Sequence, residues 1–119
     1  MKRLLAAALL LTITSVPAQT DVTFTKVAEE VNPKVVKVFG AGGFKGLVSY
    51  ATGVLISKDG LFLTVNSHVL DTRDLRIHTH DGTKYHCKVV CREPELDVAL
   101  CKIDSKVEDL PFFDFAESY

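Results

Sequence analysis

From Ala51 onward the chain alternates short β-branched or apolar runs with turn residues. TGVLIS (52–57) leads to Asp59-Gly60, a hairpin signal, and LFLTV (61–65) follows. After a polar break, TVNSHVLD (64–71), come LRIHTH (75–80), Asp81-Gly82, TKYHCKVV (83–90) and VALCKI (98–103). Short strands recurring about every 10 residues, with turn signals between them, predict an all-β barrel or sandwich. Upstream, VVKVF (35–39) reads as another strand. TFTKVAEEV (23–31) spaces Val27 and Val31 for a short amphipathic helix. Asn32-Pro33 ends that helix, because the residue before a proline avoids the α region. GAGGFKG (40–46) follows the first strand. A phosphate cradle there would need a Lys-Ser or Lys-Thr pair opening a helix, and neither follows, so the stretch is expected to be a flexible surface loop between strands.

The hairpin around Asp81-Gly82 has two candidate registers. A two-residue loop pairs His80 with Thr83 and puts Leu75 and Ile77 on the same face as His86 and Lys88. A three-residue loop, His80-Asp81-Gly82, pairs Thr79 with Thr83 instead. Leu75, Ile77, Tyr85, Cys87 and Val89 then share one face, and Arg76, His78, Lys84, His86 and Lys88 share the other. A slip of one residue would invert every side chain, so the second register is expected, with Gly82 at the position of positive φ.

That register bears on a metal site. HTHDGTKYHCKVVC (78–91) holds three histidines and two cysteines, a composition that invites zinc. His78 and His86 fall on the polar face among Arg76, Lys84 and Lys88, however, while Cys87 and Cys91 point elsewhere. In a continuous strand the two cysteines would be about 13 Å apart. No metal and no cofactor is expected.

The N-terminus adds a targeting segment. Lys2 and Arg3 precede an apolar run from Leu4 to Leu11, and Val16-Pro17-Ala18 fits signal-peptidase cleavage after Ala18. The run is far short of the roughly 20 residues that cross a bilayer, so residues 1–18 read as a cleaved export signal rather than an uncleaved anchor. Loss of Lys2 and Arg3 takes the 14 basic residues to 12 against 15 acidic ones, a net charge of −3 with histidine neutral. Such a chain, without a basic stripe, gives no electrostatic case for nucleic acid. The remaining 101 of 119 residues suffice for one small domain. Export permits disulfides, but Cys87, Cys91 and Cys101 allow at most one bridge within the chain, and the sequence does not choose the pair. The cysteines are expected to act mainly as small buried hydrophobes.

The candidate chemistry lies at two strand ends. His68 follows an apolar strand, and Asp97 stands ahead of another. A general base needs one ring nitrogen facing a nucleophile and the other held by a carboxylate that fixes the tautomer. His68 and Asp97 qualify for those two roles by position.

ATGVLISKDGLFLTVNSHVL (51–70), DGTKYHCKVVCREPELDVALCKID (81–104) and Leu110-Pro111, in that order, resemble the first β-barrel of HtrA/Deg-type trypsin-like serine proteases. The resemblance runs from about Val27 to Ser118 and implies an incomplete trypsin-like domain: signal peptide 1–18, an N-terminal segment with a short helix 19–33, and a six-stranded barrel 34–119, the first of a double-barrel fold. It gives His68 the place of the catalytic base and Asp97 that of its carboxylate. Thr52 and Glu93 depart mildly from the family pattern. Val65 matters more, because Leu63-Thr64-Val65-Asn66-Ser67-His68 is one residue longer than the family's L-T-N-x-H. The extra residue either re-aims His68 or is absorbed by a bulge that restores it.

The family's nucleophile lies in a G-N-S-G-G motif of the second barrel. Ser15, Ser49, Ser57, Ser67, Ser105 and Ser118 are the serines here, and none has that setting or a G-x-S-x-G one. The expectation is therefore the N-terminal part of an exported HtrA-like endopeptidase, periplasmic or extracellular, acting on polypeptides when complete and unable to hydrolyse peptides as the chain stands. The competing expectation is a catalytically inactive module that binds peptides or partner proteins in the cell envelope. Pro111–Phe115 is the segment expected to be sticky if apolar barrel surface is left uncovered.

Overall fold

The computed structural model describes residues 12–15, 23–44 and 47–115. The cleavage position after Ala18 and most of the expected export signal lie outside the described residues. Among those described, no helix is long and apolar enough to cross a membrane.

Helix α1, Phe24–Val31, starts where Thr23 Oγ1 accepts the Lys26 amide at 3.4 Å, satisfying one of the amides that the first turn leaves unpaired. A 3₁₀ turn, Asn32–Lys34, ends it at the proline. The helix forms as its spacing predicts, yet buries none of its residues, and Phe24 is 96% exposed.

Six strands follow: β1 (Val35–Phe44), β2 (Leu47–Leu55), β3 (Leu61–Val65), β4 (Arg76–His78), β5 (Lys84–Glu93) and β6 (Val98–Ile103). They close into an antiparallel barrel in the order β1-β2-β3-β6-β5-β4. Closure leaves no sheet edge, and the alternation along each strand sends one face inward. In β6, Ala99, Cys101 and Ile103 are buried while the residues between them are half-buried. Val36 and Val38 from β1, Leu55 from β2, Phe62 from β3, Ile77 from β4 and Cys87 from β5 complete most of the core. Thr64 is the buried polar exception, and its hydroxyl donates to the Thr52 carbonyl at 2.8 Å.

The β4–β5 hairpin takes the three-residue register. Arg76 pairs with His86, Ile77 with Tyr85 and His78 with Lys84, and the Thr79 amide donates to the Thr83 carbonyl at 2.9 Å. Gly82 closes the turn at φ 85°. Leu75, Ile77 and Cys87 are buried, with Tyr85 and Val89 packed against the core, whereas Arg76, Lys84, His86 and Lys88 are exposed.

The glycine-rich stretch differs from its expectation as a flexible loop. β1 runs through it to Phe44, β2 begins at Leu47, and Gly43 pairs with Val48. Between the Phe39–Tyr50 and Gly43–Val48 pairs the register shifts, so that residues 40–42 oppose Ser49 alone. The ladder uses backbone groups only, and glycine lets one strand accommodate the extra residues as a bulge. Residues 45 and 46, between the two strands, lie outside the described residues. The C-terminal segment is also partly used. Phe112 packs on the core, the Phe113 amide donates to the Leu55 carbonyl at 2.8 Å, and Phe115 stays 77% exposed.

Candidate active site

His68 opens a 3₁₀ turn, His68–Leu70, just past the end of β3. The turn is anchored from below because Val69 and Leu70 are buried. Its backbone closes through the Leu70 amide to the Ser67 carbonyl at 3.1 Å and the Asp71 amide to the His68 carbonyl at 3.0 Å. The imidazole is exposed and turns toward the bulge of β1. A Cβ placed on Gly42 would stand 3.0 Å from His68 Nε2, and Gly42 has φ +94°. Glycine is required there twice over, for the left-handed backbone and for the close approach of the ring.

The residues on either side of this turn are tied to β5. Arg92 donates from Nη1 to Asn66 Oδ1 at 3.1 Å and from Nη2 to Asp71 Oδ1 at 2.9 Å. One guanidinium thus spans the segment that carries His68, using the planar fork that lysine lacks. Neither Arg92 nor Gly42 stands out in the sequence, since each acquires its role only through strand pairing. The spacing of polar residues around TVNSHVLD is the only hint, and it does not identify a partner on β5.

Asp97 stands at the entry to β6, after the turn that links it to β5. It is the single non-glycine residue with positive φ among those described, at 56°, and its amide donates to the Pro94 carbonyl at 3.3 Å. Aspartate is one of the few L-residues that tolerates this region, because its short side chain can bond locally. The Asn66 amide donates to the Asp97 carbonyl at 3.0 Å, one step beyond the Val65–Val98 pair. The barrel therefore brings the His68 and Asp97 segments to the same end of β3 and β6.

Val65 joins the strand without a bulge. The β3–β6 ladder is unbroken from Leu61–Lys102 to Val65–Val98, and Val65 points outward at 51% exposure. Asp97 borders a shallow hollow of about 220 Å³ with Thr52, Thr64 and Val65, while His68 Nε2 faces Gly42. Among the described residues, no hydrogen bond joins the His68 imidazole to the Asp97 carboxylate, and no serine hydroxyl bonds to His68. Ser57 Oγ donates instead to Asp59, and Ser67 Oγ is buried with no hydrogen-bond partner.

The cysteines form no disulfide. Cys87 and Cys101 are buried thiols and Cys91 is exposed. Burial, with the neighbouring Cys101, pushes the Cys87 thiol up to about 12, and burial raises Cys101 to about 11. Such thiols are neutral and packed, not reactive. Among the described residues, no three His, Cys, Asp or Glu side chains gather to hold a metal ion.

Comparison with known proteins places this arrangement. Residues 51–119 match the family model described as trypsin-like peptidase domain. A probable periplasmic serine endoprotease, DegP-like, from Chlamydia pneumoniae is 40% identical over 67 residues, covering 56% of this chain and 13% of that protein. A protein of the same description from Marinomonas sp. is 38% identical over 71 residues, covering 59% of this chain and 14% of that protein. The chain thus spans only a small fraction of the length of the curated relatives it matches. The crystal structure of the serine endoprotease from Yersinia pestis superimposes with a TM-score of 0.65 at 20% identity, over 82% of this chain and 35% of that one, which establishes the shared fold. With the closed six-stranded barrel and the ordered motifs along it, these matches show that the chain belongs to the trypsin-like peptidase domain family, of the HtrA type.

Proposed function

We propose that this chain supplies the histidine–aspartate part of an exported HtrA-like serine endopeptidase. His68 is the general base and Asp97 the carboxylate that orients it, in a domain comprising residues 34–119 after a helix-bearing segment, 19–33, and a cleaved signal, 1–18. In the reaction, His68 takes the proton of a serine hydroxyl as that oxygen attacks a peptide carbonyl. It then returns the proton to the leaving amine, while Asp97 stabilises the imidazolium. The serine and its oxyanion-stabilising amides come from a second barrel. The observation that carries this reading is the convergence of the two segments through the Asn66–Asp97 backbone bond at 3.0 Å. The periplasmic description of the relatives supports export, and their endoprotease description supports polypeptide substrates.

The test begins with the genomic sequence beyond Tyr119, where an in-frame G-N-S-G-G segment is expected. In the protein encoded by that full frame, casein cleavage should fall by about 10⁶-fold in His68→Ala and about 10⁴-fold in Asp97→Asn. Undiminished cleavage in either variant removes the assignment. The 119-residue chain alone should leave casein intact.

A second reading, a catalytically inactive module that holds peptides in the cell envelope, is favoured by one observation. Val65 is built into β3 with no compensating bulge, and Asp97 borders the hollow beside Thr52 and Val65 whereas His68 Nε2 faces Gly42. Under this reading the full-frame protein binds unfolded polypeptide without cleaving it, and a fluorophosphonate leaves no covalent label.

A further inference from the structure

The polar face of the β4–β5 hairpin plays no part in the reaction above. The registers set the outward residues of this face and of the neighbouring β1 in two cross-strand rows. Lys37, His78 and Lys84 form one, and Phe39, Arg76 and His86 form the next. Neighbouring strands are about 4.8 Å apart and same-face residues about 7 Å apart along a strand. The six positions therefore cover a patch of roughly 10 by 7 Å.

This patch has an apolar component. The Phe39 ring lies against the His78 ring with centroids 4.4 Å apart, and Lys37 Nζ sits 5.7 Å above the centre of Tyr50. Phe39, Val48, Arg76, His78 and Lys84 line a cleft of about 210 Å³. Lys37 and Lys84 have no carboxylate within ion-pair distance among the described residues, in a chain whose formal charge is −1. Burial, reinforced by Lys84, Arg76 and Lys37, holds His78 below its ordinary value of 6.5. His78 is therefore neutral near pH 7, and the unpaired positive charge of the patch is that of Lys37 and Lys84, since Arg76 lies against Asp74.

We propose that this cleft is a binding site for an extended acidic polypeptide segment bearing one large apolar side chain. Lys37 and Lys84 flank His78 in one cross-strand row, so carboxylates on either side of an apolar residue each meet a lysine. The apolar side chain enters the Phe39–Val48 cleft, and the lysines provide charge-assisted contacts. A bilayer or a polyphosphate is a poorer occupant. The cleft is concave, and carboxylates interrupt the cationic surface: Asp74 lies 3.5 Å from Arg76 and 3.3 Å from His86, and Asp104 lies 3.8 Å from Lys88.

The site does not depend on the protease reading, and its test keeps the two apart. A fluorescent synthetic peptide of alternating glutamate and glycine with one central phenylalanine is titrated into the full 119-residue chain at low ionic strength. Saturable binding is expected, weakening as salt rises. Binding should fall at least tenfold in Lys37→Gln/Lys84→Gln, and also when the peptide's phenylalanine is replaced by glycine. Both lysines are exposed, so the double variant should keep the wild-type melting temperature, which excludes misfolding as the cause of the loss. His68→Ala should bind as the wild type does, so failure of the catalytic assignment leaves this site standing. Absence of saturable binding, or equal affinity in the double variant, overturns the proposal. So does loss of binding in His68→Ala, or tighter binding to phosphatidylglycerol vesicles than to the peptide.

Discussion

Arg92 Nη2 lies 2.9 Å from Asp71 Oδ1, and its other terminal nitrogen lies 3.1 Å from Asn66 Oδ1, so one side chain of β5 holds both flanks of the turn that begins at His68. Replacing it with lysine keeps the charge but loses the fork. Arg92→Lys and Arg92→Ala should both speed hydrogen exchange at the Leu70 and Asp71 amides, which close the turn, while the exchange of β6 amides stays unchanged. The loss of stability should be about 1 kcal/mol, since the pairs are largely exposed and screened by water. Unchanged exchange in the turn would show that the buried Val69 and Leu70 hold it without help.

Gly42 and Gly82 form a natural comparison. Both have positive φ, but a Cβ on Gly42 meets the His68 ring at 3.0 Å whereas one on Gly82 meets nothing within 4 Å. Each alanine substitution should cost about 1–2 kcal/mol from the backbone alone. Only Gly42→Ala should also shift the His68 imidazole resonances in an NMR spectrum. Equal perturbation by both variants would mean that the ring does not lie over the bulge.

Deleting Val65 tests whether that residue sets the direction of His68. A one-residue change in a period-2 strand exchanges the faces of all that follows. The deletion should re-aim His68 toward Asp97, producing a low-field proton from an Nδ1–H bonded to the carboxylate. Asp97→Asn in the deletion background should shift or remove that resonance. The same resonance in the parent chain would mean that Val65 does not turn His68 away from Asp97.

The two buried hydroxyls near the site should respond in opposite ways. Thr64→Val deletes the bond to the Thr52 carbonyl, leaving that acceptor short of a partner, and should cost about 1 kcal/mol. Ser67 Oγ is buried without a partner, so Ser67→Ala removes an uncompensated group and should leave stability unchanged or higher. Urea unfolding of the two variants measures both.

The buried thiols make the fold sensitive to alkali. Both folded-state values are raised, to about 12 for Cys87 and about 11 for Cys101, from an ordinary 9.0. Their contribution is therefore complete below pH 9, and it is lost as pH rises through the folded values, because the unfolded chain ionises first. The drop in melting temperature between about pH 8 and about pH 10.5 should be smaller in Cys87→Ala than in the parent, whatever the variant's starting stability. An identical pH slope would contradict the raised Cys87 value.

The sequence by itself determined the strands from Ala51 onward, the helix ending at Asn32-Pro33 and the register of the β4–β5 hairpin. These follow from local rules: alternation with period 2, turn residues of fixed backbone preference, and the restriction that proline places on its neighbour. It also located His68 and Asp97 at strand ends and brought the family into view. The tertiary structure decided the rest. The glycine-rich stretch became paired strand because the ladder is made by backbone groups, which leave no trace in side-chain pattern. Arg92 became the clamp on the His68 turn, and Lys37 joined His78 and Lys84 in one row, because barrel closure sets β1, β4 and β5 side by side. Whether Val65 would be absorbed as a bulge or built into the ladder was equally open to sequence rules. The unbroken pairing of Val65 with Val98 resolved it.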